Sequence, residues 1–391
     1  WISYSSYKNS LWSELRCTVS LLVYITAVTF LLAFLPGIPP HYDFKPLRVA
    51  GPKPLVGKLA PKCILDKAEI LIEGQFVGPE SLFLEGNVLY TGVESSEVVK
   101  VEDKGDGADV KFLGSTGVPC AFELKNIHRG IIAFDLKTGT TEPYLTGPVQ
   151  TFADDLDIAK DGTVYYSILS DTPEADMLKQ VLHPNGKLMK YDPKTKEITV
   201  LLNNISFANG VQLSDNEDFV LVNESPYGRT MRYYLKGPKA GTSDIFVDGL
   251  PGLPDNIRPN GRGGYYIALF SGRMPLVDWV GRYRILHRIV GRMQWILSKV
   301  VTFVKTNIVG GPFMDILDAA ITHFGPLGIG WSDKATIVEV DGNGNILAVL
   351  RAKEKNMIAV TQITVGDKFS YIGSYSENKI WKIKTTDLRN Y

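Results

Sequence analysis

The hydrophobic pattern divides the chain into one long apolar run near its start and many short runs after it. Residues 18–35 carry no charge and are mostly apolar, and the run ends at Pro36-Gly37. At about 1.5 Å of rise per residue, a helix of this length just crosses the hydrocarbon core of a bilayer. We therefore predict an N-terminal tail over residues 1–17, a transmembrane signal-anchor helix over 18–35 and a linker over 36–60. The alternative is a cleaved signal peptide, which would have a shorter apolar region and a clear small-x-small cleavage site.

After residue 60, short β-branched or aromatic runs alternate with turns rich in Asp, Gly and Asn, as in 81–90, 156–166 and 212–222. Asp-Gly and Asn-Gly turns join antiparallel strands tightly because these residues accept positive φ. A four-strand unit that recurs about every 40–50 residues is typical of a β-propeller, whereas a β-sandwich would not repeat one motif so often. The pattern predicts an all-β, six-bladed β-propeller over residues 61–391, with five clear units and one damaged unit.

The segment 282–305 departs from this pattern. It holds six Lys and Arg residues, no acidic residue, and apolar residues at helical spacing. We predict a helical insertion here, and two interpretations of it remain open. The helix packs on the propeller, or it lies as an amphipathic helix on anionic lipid.

Composition narrows the function classes. Lys and Arg number 42 and Asp and Glu also number 42, so the chain lacks the basic excess of a nucleic-acid-binding protein. Apolar residues make up 45% and charged residues 21%, which excludes global disorder. Two Asn-x-Ser sequons, at Asn204 and Asn223, predict glycosylation and suit a lumenal or extracellular location.

Oxygen-bearing side chains recur just ahead of the predicted inner strands, where a propeller gathers its repeats around a central channel. Asn209 follows Asp154 by 55 positions, and Asp255 follows Asn209 by 46, or about one blade each. Each residue alone would be interpreted as an ordinary turn residue. Together, oxygen donors without His or Cys favour Ca²⁺ over zinc. We predict calcium in the channel, with these ligands: Glu80, Asp154, Asn209 and Asp255.

Three segments and the N-terminal apolar run carry a resemblance to a known family. The chain resembles the strictosidine synthase-like branch of calcium-dependent six-bladed propellers, of which paraoxonases and gluconolactonases are more distant relatives. The resemblance implies a single-pass type II protein of the plasma membrane or endoplasmic reticulum, with an extracellular or lumenal propeller. It also implies arylesterase-like or lactonase-like hydrolysis, and it adds Asn256, next to Asp255, to the residues that resemble the calcium ligands of the family. The segments are Gly78-Pro79-Glu80-Ser81, 207–218 and 251–259.

The chain also departs from this family. Its residues 117–122 run almost directly into 126–130, where the family has an additional inner strand, so we expect a shortened second blade. Relatives with a second calcium have an acid after the first ligand; Asp155 fits that pattern but Ser81 does not, which supports one ion. Strictosidine synthases have a catalytic Glu where this chain has Gln362. A carboxamide cannot act as a general base, so amine–aldehyde condensation is not expected.

The resemblance and the ligand set together predict a membrane-anchored, calcium-dependent hydrolase of esters or lactones. Calcium would polarise the substrate carbonyl, and Asp255 or His128 would activate water. The sequence contains no Gly-x-Ser-x-Gly motif, which argues against a serine esterase. The alternative is a non-catalytic, membrane-tethered propeller that binds a ligand or a protein partner and holds calcium structurally, because fold does not dictate function.

Overall fold

Short strands, most of them partly or wholly buried, build the larger of two units, which comprises residues 48–275 and 327–391. The computed structural model describes residues 2–39, 41, 46–116, 131–145, 153–170, 184–273, 275–323 and 334–391. In chain order the strands are β1 (Glu69–Glu73), β2 (Leu82–Glu85), β3 (Val88–Gly92), β4 (Glu97–Asp103), β5 (Ala108–Ser115), β6 (Ile131–Phe134), β7 (Thr141–Leu145), β8 (Ala153–Ile158), β9 (Val164–Ile168), β10 (Gly186–Asp192), β11 (Glu197–Ile205), β12 (Ala208–Leu213), β13 (Phe219–Glu224), β14 (Arg229–Tyr234), β15 (Ser243–Val247), β16 (Gly252–Pro259), β17 (Tyr265–Gly272), β18 (Thr336–Val340), β19 (Ile346–Arg351), β20 (Val360–Thr364), β21 (Phe369–Ser374) and β22 (Lys379–Lys384).

These strands form antiparallel sheets of four. Strands β2–β5, β8–β11, β12–β15 and β16–β19 each make one sheet in sequence order, while β20, β21 and β22 take β1 as their fourth strand. In that last sheet Glu69 lies opposite Lys382, and Glu73 lies opposite Lys379. The first strand of the unit thus completes a sheet built from its last strands, which covers an edge that would otherwise be free to pair with another chain.

The number of complete blades differs from the prediction. The described residues contain five four-stranded sheets and one two-stranded sheet, β6–β7, rather than six complete blades. The two-stranded sheet lies between β5 and β8 in the chain, where the shortened second blade was expected. The segments on either side of it, 117–130 and 146–152, lie outside the described residues.

Apolar side chains pack between successive sheets. One cluster between the β16–β19 sheet and the last sheet includes Tyr266, Ile337, Leu350 and Trp381. Central strands such as β18 are buried along their whole length because neighbouring sheets cover both of their faces. The first strands contact one another in the order β8, β12, β16, β20, β2. We call these five the channel strands; residues at their starts are brought together.

The smaller unit comprises residues 1–47 and 276–326 and is helical. The insertion extends beyond the predicted 282–305 and lies in the chain between β17 and β18, which pair directly with each other. In the part of the chain that the structure describes, no helix has both the length and the apolar character needed to cross a membrane, so the predicted span over 18–35 is not confirmed. The helices are α1 (Ile2–Phe34), α2 (Pro275–Gly281), α3 (Arg284–Asn307) and α4 (Pro312–His323), and the propeller adds α5 (Thr385–Arg389).

Candidate metal centre in the channel

The residues predicted to bind calcium lie at or near the starts of the channel strands. Glu80 precedes β2, Asp154 is in β8, Asn209 is in β12, and Asp255 and Asn256 are in β16. Asp255 is close enough to Glu80 and Asp154 for their charges to repel. The propeller therefore brings together acids that are far apart in sequence.

Loss of solvation dominates the electrostatics of these acids. Burial, and then repulsion from Asp155, raises the pKa of Glu80 to about 7. Burial and repulsion from neighbouring acids raise the pKa values of Asp154 and Asp255 well above their usual range. Asp255 is only 4% exposed, whereas Asp154 is exposed. Asp154 still loses solvation, because a side chain in a channel can contact water while protein displaces most of the solvent around it. Without a cation, burial and mutual repulsion therefore disfavour the charged forms of these groups.

Two buried oxygens provide a test of whether a metal ion fits here. Asn209 Oδ1 and Asp255 Oδ1 have no hydrogen-bond partner in the described part of the chain, although buried polar atoms normally have one. Both are hard oxygen donors of the kind that calcium prefers. Among the described residues, however, no group of three or more His, Cys, Asp and Glu side chains is spaced to hold a metal ion. The donor chemistry therefore fits calcium, and calcium binding remains a prediction.

Gly210 allows β12 and β16 to approach each other at this point. A Cβ atom at Gly210 would lie 2.5 Å from the backbone oxygen of Asp255 and 2.6 Å from Asn256 Cα. Both distances are shorter than van der Waals contact, so any larger side chain would force the strands apart. The glycine thus keeps Asn209 beside the two ligand candidates of β16.

The backbone of the site is held from behind by side chains of the neighbouring strands. Asn223 Nδ2 donates to Asp255 O at 2.5 Å, and Ser225 Oγ donates to Pro254 O at 2.6 Å. On the opposite side, Thr361 Oγ1 donates to Glu80 O at 2.7 Å. These contacts hold the backbone at Asp255 and Glu80 and do not use the carboxylate oxygens of the two side chains.

Asp155, next to Asp154, forms an ion pair with Arg258 of β16. Arg258 Nη1 lies 2.8 Å from Asp155 Oδ2, and Arg258 Nη2 lies 2.8 Å from Asp155 Oδ1. The same guanidinium donates to Ser81 Oγ at 3.4 Å, while Val211 N donates to Asp155 Oδ2 at 2.7 Å. Arg258 therefore joins β16, β8 and the segment before β2, and neutralises the acid that was considered for a second calcium.

Gln362 in β20 has a fully hydrogen-bonded amide. Its Oε1 accepts from Ser81 Oγ at 2.9 Å, and its Nε2 donates to Leu82 O at 2.7 Å and to Thr364 Oγ1 at 2.5 Å. The side chain is 1% exposed. Gln362 thus links β20 to β2, which is consistent with the expectation that it is no general base.

The remaining predicted sites have different surroundings. His128 lies outside the described residues. Asn204, in β11, is exposed, so glycosylation there stays a prediction. Asn223 is 0% exposed, and its Oδ1 accepts from Thr230 Oγ1 while its Nδ2 donates to Asp255 O. Because Asn223 is buried and its amide is hydrogen-bonded, a glycan on it is incompatible with this fold. The sequon motif by itself carries no information about burial.

Sequence reasoning missed two residues of the site. Arg258 had a signal, since the adjacent acids at 154 and 155 on an inner strand call for a compensating cation. Tyr375 had none, because only the fold brings it to this place. Burial and the nearby charges of Asp255 and Glu80 raise its pKa, and its ring packs edge-to-face against Phe270 with centroids 6.4 Å apart.

Comparison with known proteins identifies the family. Residues 154–238 match the strictosidine synthase family. The adipocyte plasma membrane-associated protein of Rattus norvegicus is 34% identical over 65% of this chain and 73% of its own length. The chain belongs to the adipocyte plasma membrane-associated protein family. A second member, hemomucin of Drosophila melanogaster, is 29% identical over 91% of this chain and 67% of its own length.

Solved structures show a weaker likeness. A calcium-binding regucalcin from Agrobacterium tumefaciens shares 11% identity over 81% of this chain and 92% of its own, with a TM-score of 0.49. A similarity at this level supports no functional conclusion. The membership of the adipocyte plasma membrane-associated protein family therefore rests on the sequence relatives.

Proposed function

We propose that the chain is a calcium-dependent hydrolase that cleaves esters or lactones in the propeller channel. The observation that carries the proposal is the pair of buried oxygens, Asn209 Oδ1 and Asp255 Oδ1, that lack a hydrogen-bond partner in the described part of the chain. They lie on the adjoining strands β12 and β16, among acids whose burial raises their pKa values. Such acceptors favour a bound cation over an empty channel.

The residues that would hold calcium supply only oxygen donors, as this ion prefers. When bound there, calcium would polarise the carbonyl of an ester or lactone and stabilise the charge that develops on its oxygen. The proposed ligands are Glu80, Asp154, Asn209, Asp255 and Asn256.

Asp255 is the described residue best suited to accept a proton from the attacking water. Without a metal, burial and then repulsion from Glu80 and Asp154 raise its pKa, which makes a carboxylate a stronger base, whereas a bound calcium ion would lower it. The paired rings of Phe270 and Tyr375 offer apolar surface beside these acids for an acyl or aryl group. His128 is the second candidate base and rests on the sequence alone.

Condensation of an amine with an aldehyde is not proposed. Gln362 is a carboxamide whose oxygen and nitrogen are both hydrogen-bonded within the protein. It has no proton to take up or release at neutral pH.

We also propose that the protein is membrane-associated. The relatives are named plasma membrane-associated proteins, and residues 18–31 form an exposed, apolar part of α1. The orientation that fits the exposed sequon at Asn204 is type II, with the propeller extracellular or lumenal, in the plasma membrane or the endoplasmic reticulum.

Hydrolysis of phenyl acetate and of a panel of lactones by the purified full chain tests the proposed activity. We expect turnover in calcium, its loss on addition of EGTA, and its loss in Asn209→Ala. Asn343→Ala is the matched control, because Asn343 is exposed in the turn between β18 and β19. Circular dichroism of each variant shows whether it is folded.

The contrary outcome is equally defined. If the folded protein binds calcium but turns over no ester or lactone, the hydrolase proposal is wrong. The chain is then a non-catalytic propeller that binds a ligand or a protein partner.

A further inference from the structure

Helix α3 exposes a continuous apolar stripe. At 100° per residue, six large apolar side chains occupy an arc of about 120° on one side of the helix. Each of them is at least 36% exposed in the structure. A stripe of this size is more than the scattered apolar residues that ordinary protein surfaces carry. The six are Ile285, Met293, Ile296, Leu297, Val300 and Phe303.

The rest of α3 is basic. The helix contains five Lys and Arg residues and no Asp or Glu. Lys305 is paired with Asp315 and Asp318 of α4, at 2.9 and 3.2 Å. Lys299 is exposed and lies on the flank of the stripe, about 40° from Ile285 and Phe303 by the same helical geometry. Arg284 lies on the opposite side of the helix. An apolar face with a basic border is typical of helices that lie in a bilayer interface.

Two arginines of α3 bind the end of the apolar helix α1. Arg292 Nη1 donates to Leu32 O at 2.8 Å and to Leu35 O at 3.1 Å, and Arg288 Nη1 donates to Ala33 O at 3.2 Å. The last carbonyls of a helix have no partner within the helix, and a cation there is favoured by the helix dipole. The amphipathic helix is therefore attached to the C-terminal end of an exposed apolar helix.

Neighbouring segments of the helical unit also expose large aromatic side chains. Trp279 and Tyr283 are each 51% exposed, and their rings lie 5.4 Å apart. Phe313 of α4 is 74% exposed. Trp and Tyr are enriched where membrane meets water, because their rings are apolar and one edge is polar.

We propose that α3 lies in the surface of a phospholipid bilayer, with its apolar stripe at the boundary of headgroups and acyl chains. Lys299 then faces anionic headgroups. The occupant is lipid rather than a protein, because the helix that carries the stripe binds the end of the apolar α1 and its charged residues are all basic. This second attachment would add to that of α1, and it does not depend on the proposed hydrolase activity.

Site-directed spin labelling of the full chain in liposomes of phosphatidylcholine and phosphatidylserine tests this arrangement. In a background with Cys17, Cys63 and Cys120 changed to Ser, single labels are placed by Val300→Cys and Phe303→Cys. Collisions with oxygen, which partitions into lipid, are compared with collisions with water-soluble nickel-EDDA. We expect oxygen to dominate at both positions, at a depth of about 5–10 Å below the headgroups.

Thr302→Cys is the matched control, because Thr302 is exposed on the opposite side of the same helix. We expect nickel-EDDA to dominate there. Equal nickel-EDDA access at Val300, Phe303 and Thr302 would mean that the stripe faces water. Low access of both reagents at Val300 and Phe303 would mean that protein covers it, and either result would overturn the proposal.

Discussion

Arg258→Gln tests the ion pair that joins three of the channel segments. The change removes a bidentate pair with Asp155, in which both distances are 2.8 Å and the side chains are 18% and 8% exposed. Asp155 would remain buried with one backbone donor and with acidic neighbours that no longer have a compensating cation. Breaking a buried pair in this way costs about 3–5 kcal/mol. At roughly 2 °C per kcal/mol for a large domain, the melting temperature should fall by about 6–10 °C.

Differential scanning calorimetry in EGTA measures this loss without a contribution from calcium. The matched control is Lys67→Gln, which removes a 2.8 Å pair with Asp387 whose side chains are 52% and 29% exposed. Exposed pairs contribute about 0–1 kcal/mol, so this variant should melt within about 2 °C of the wild type. If Arg258→Gln and Lys67→Gln have the same melting temperature, the inference that Arg258 neutralises Asp155 and joins the channel segments is refuted.

Three further changes test the surroundings of the site. Gly210→Ala should lower the melting temperature and weaken calcium binding measured by calorimetry, because the new Cβ overlaps Asp255 O; unchanged binding would contradict this. Burial raises the pKa of Glu80 from 4.5 to about 7, so its stabilising contribution is complete below pH 4.5 and lost as the pH rises through 7. The melting temperature in EGTA should therefore fall between pH 5 and 8, and a rise would oppose the assignment. In a glycosylating host, Asn204→Gln should reduce the mass of the chain, and Asn223→Gln should not.

The repeat of the channel residues was predictable because it depends on spacing. Asp154, Asn209 and Asp255 recur at intervals close to one blade. A propeller places residues at such intervals close to one another around its channel. The fold accordingly brings the acids close enough to repel one another. What the spacing does not contain is the orientation of each oxygen, and so calcium binding stays a prediction.

The parts that sequence reasoning missed depend on partners far along the chain. Arg258 meets Asp155 across 103 positions, and Gln362 meets Ser81 across 281. Asn223 matched a sequon by its local sequence, but its burial against Asp255 O is decided by the neighbouring sheet. Local patterns describe turns and periodicity, whereas such contacts arise only when the sheets pack.

In the helical insertion, too, the local pattern was predictable from the sequence and the distant contacts were not. Its periodicity and its lack of acids were evident in residues 282–305, and the structure forms α3 over Arg284–Asn307. The bonds from Arg288 and Arg292 to the end of α1 could not be inferred, because they join segments more than 250 positions apart. These bonds attach the amphipathic helix to an apolar one, which favours the interpretation that the insertion lies on lipid.

A crystal structure of the full chain grown with calcium, with data collected to record the anomalous signal of the ion, tests the central claim most directly. We predict one calcium ion in the channel, bonded to Asn209 Oδ1 and Asp255 Oδ1. An ordered channel without an anomalous peak, or an ion that touches neither oxygen, would contradict the account.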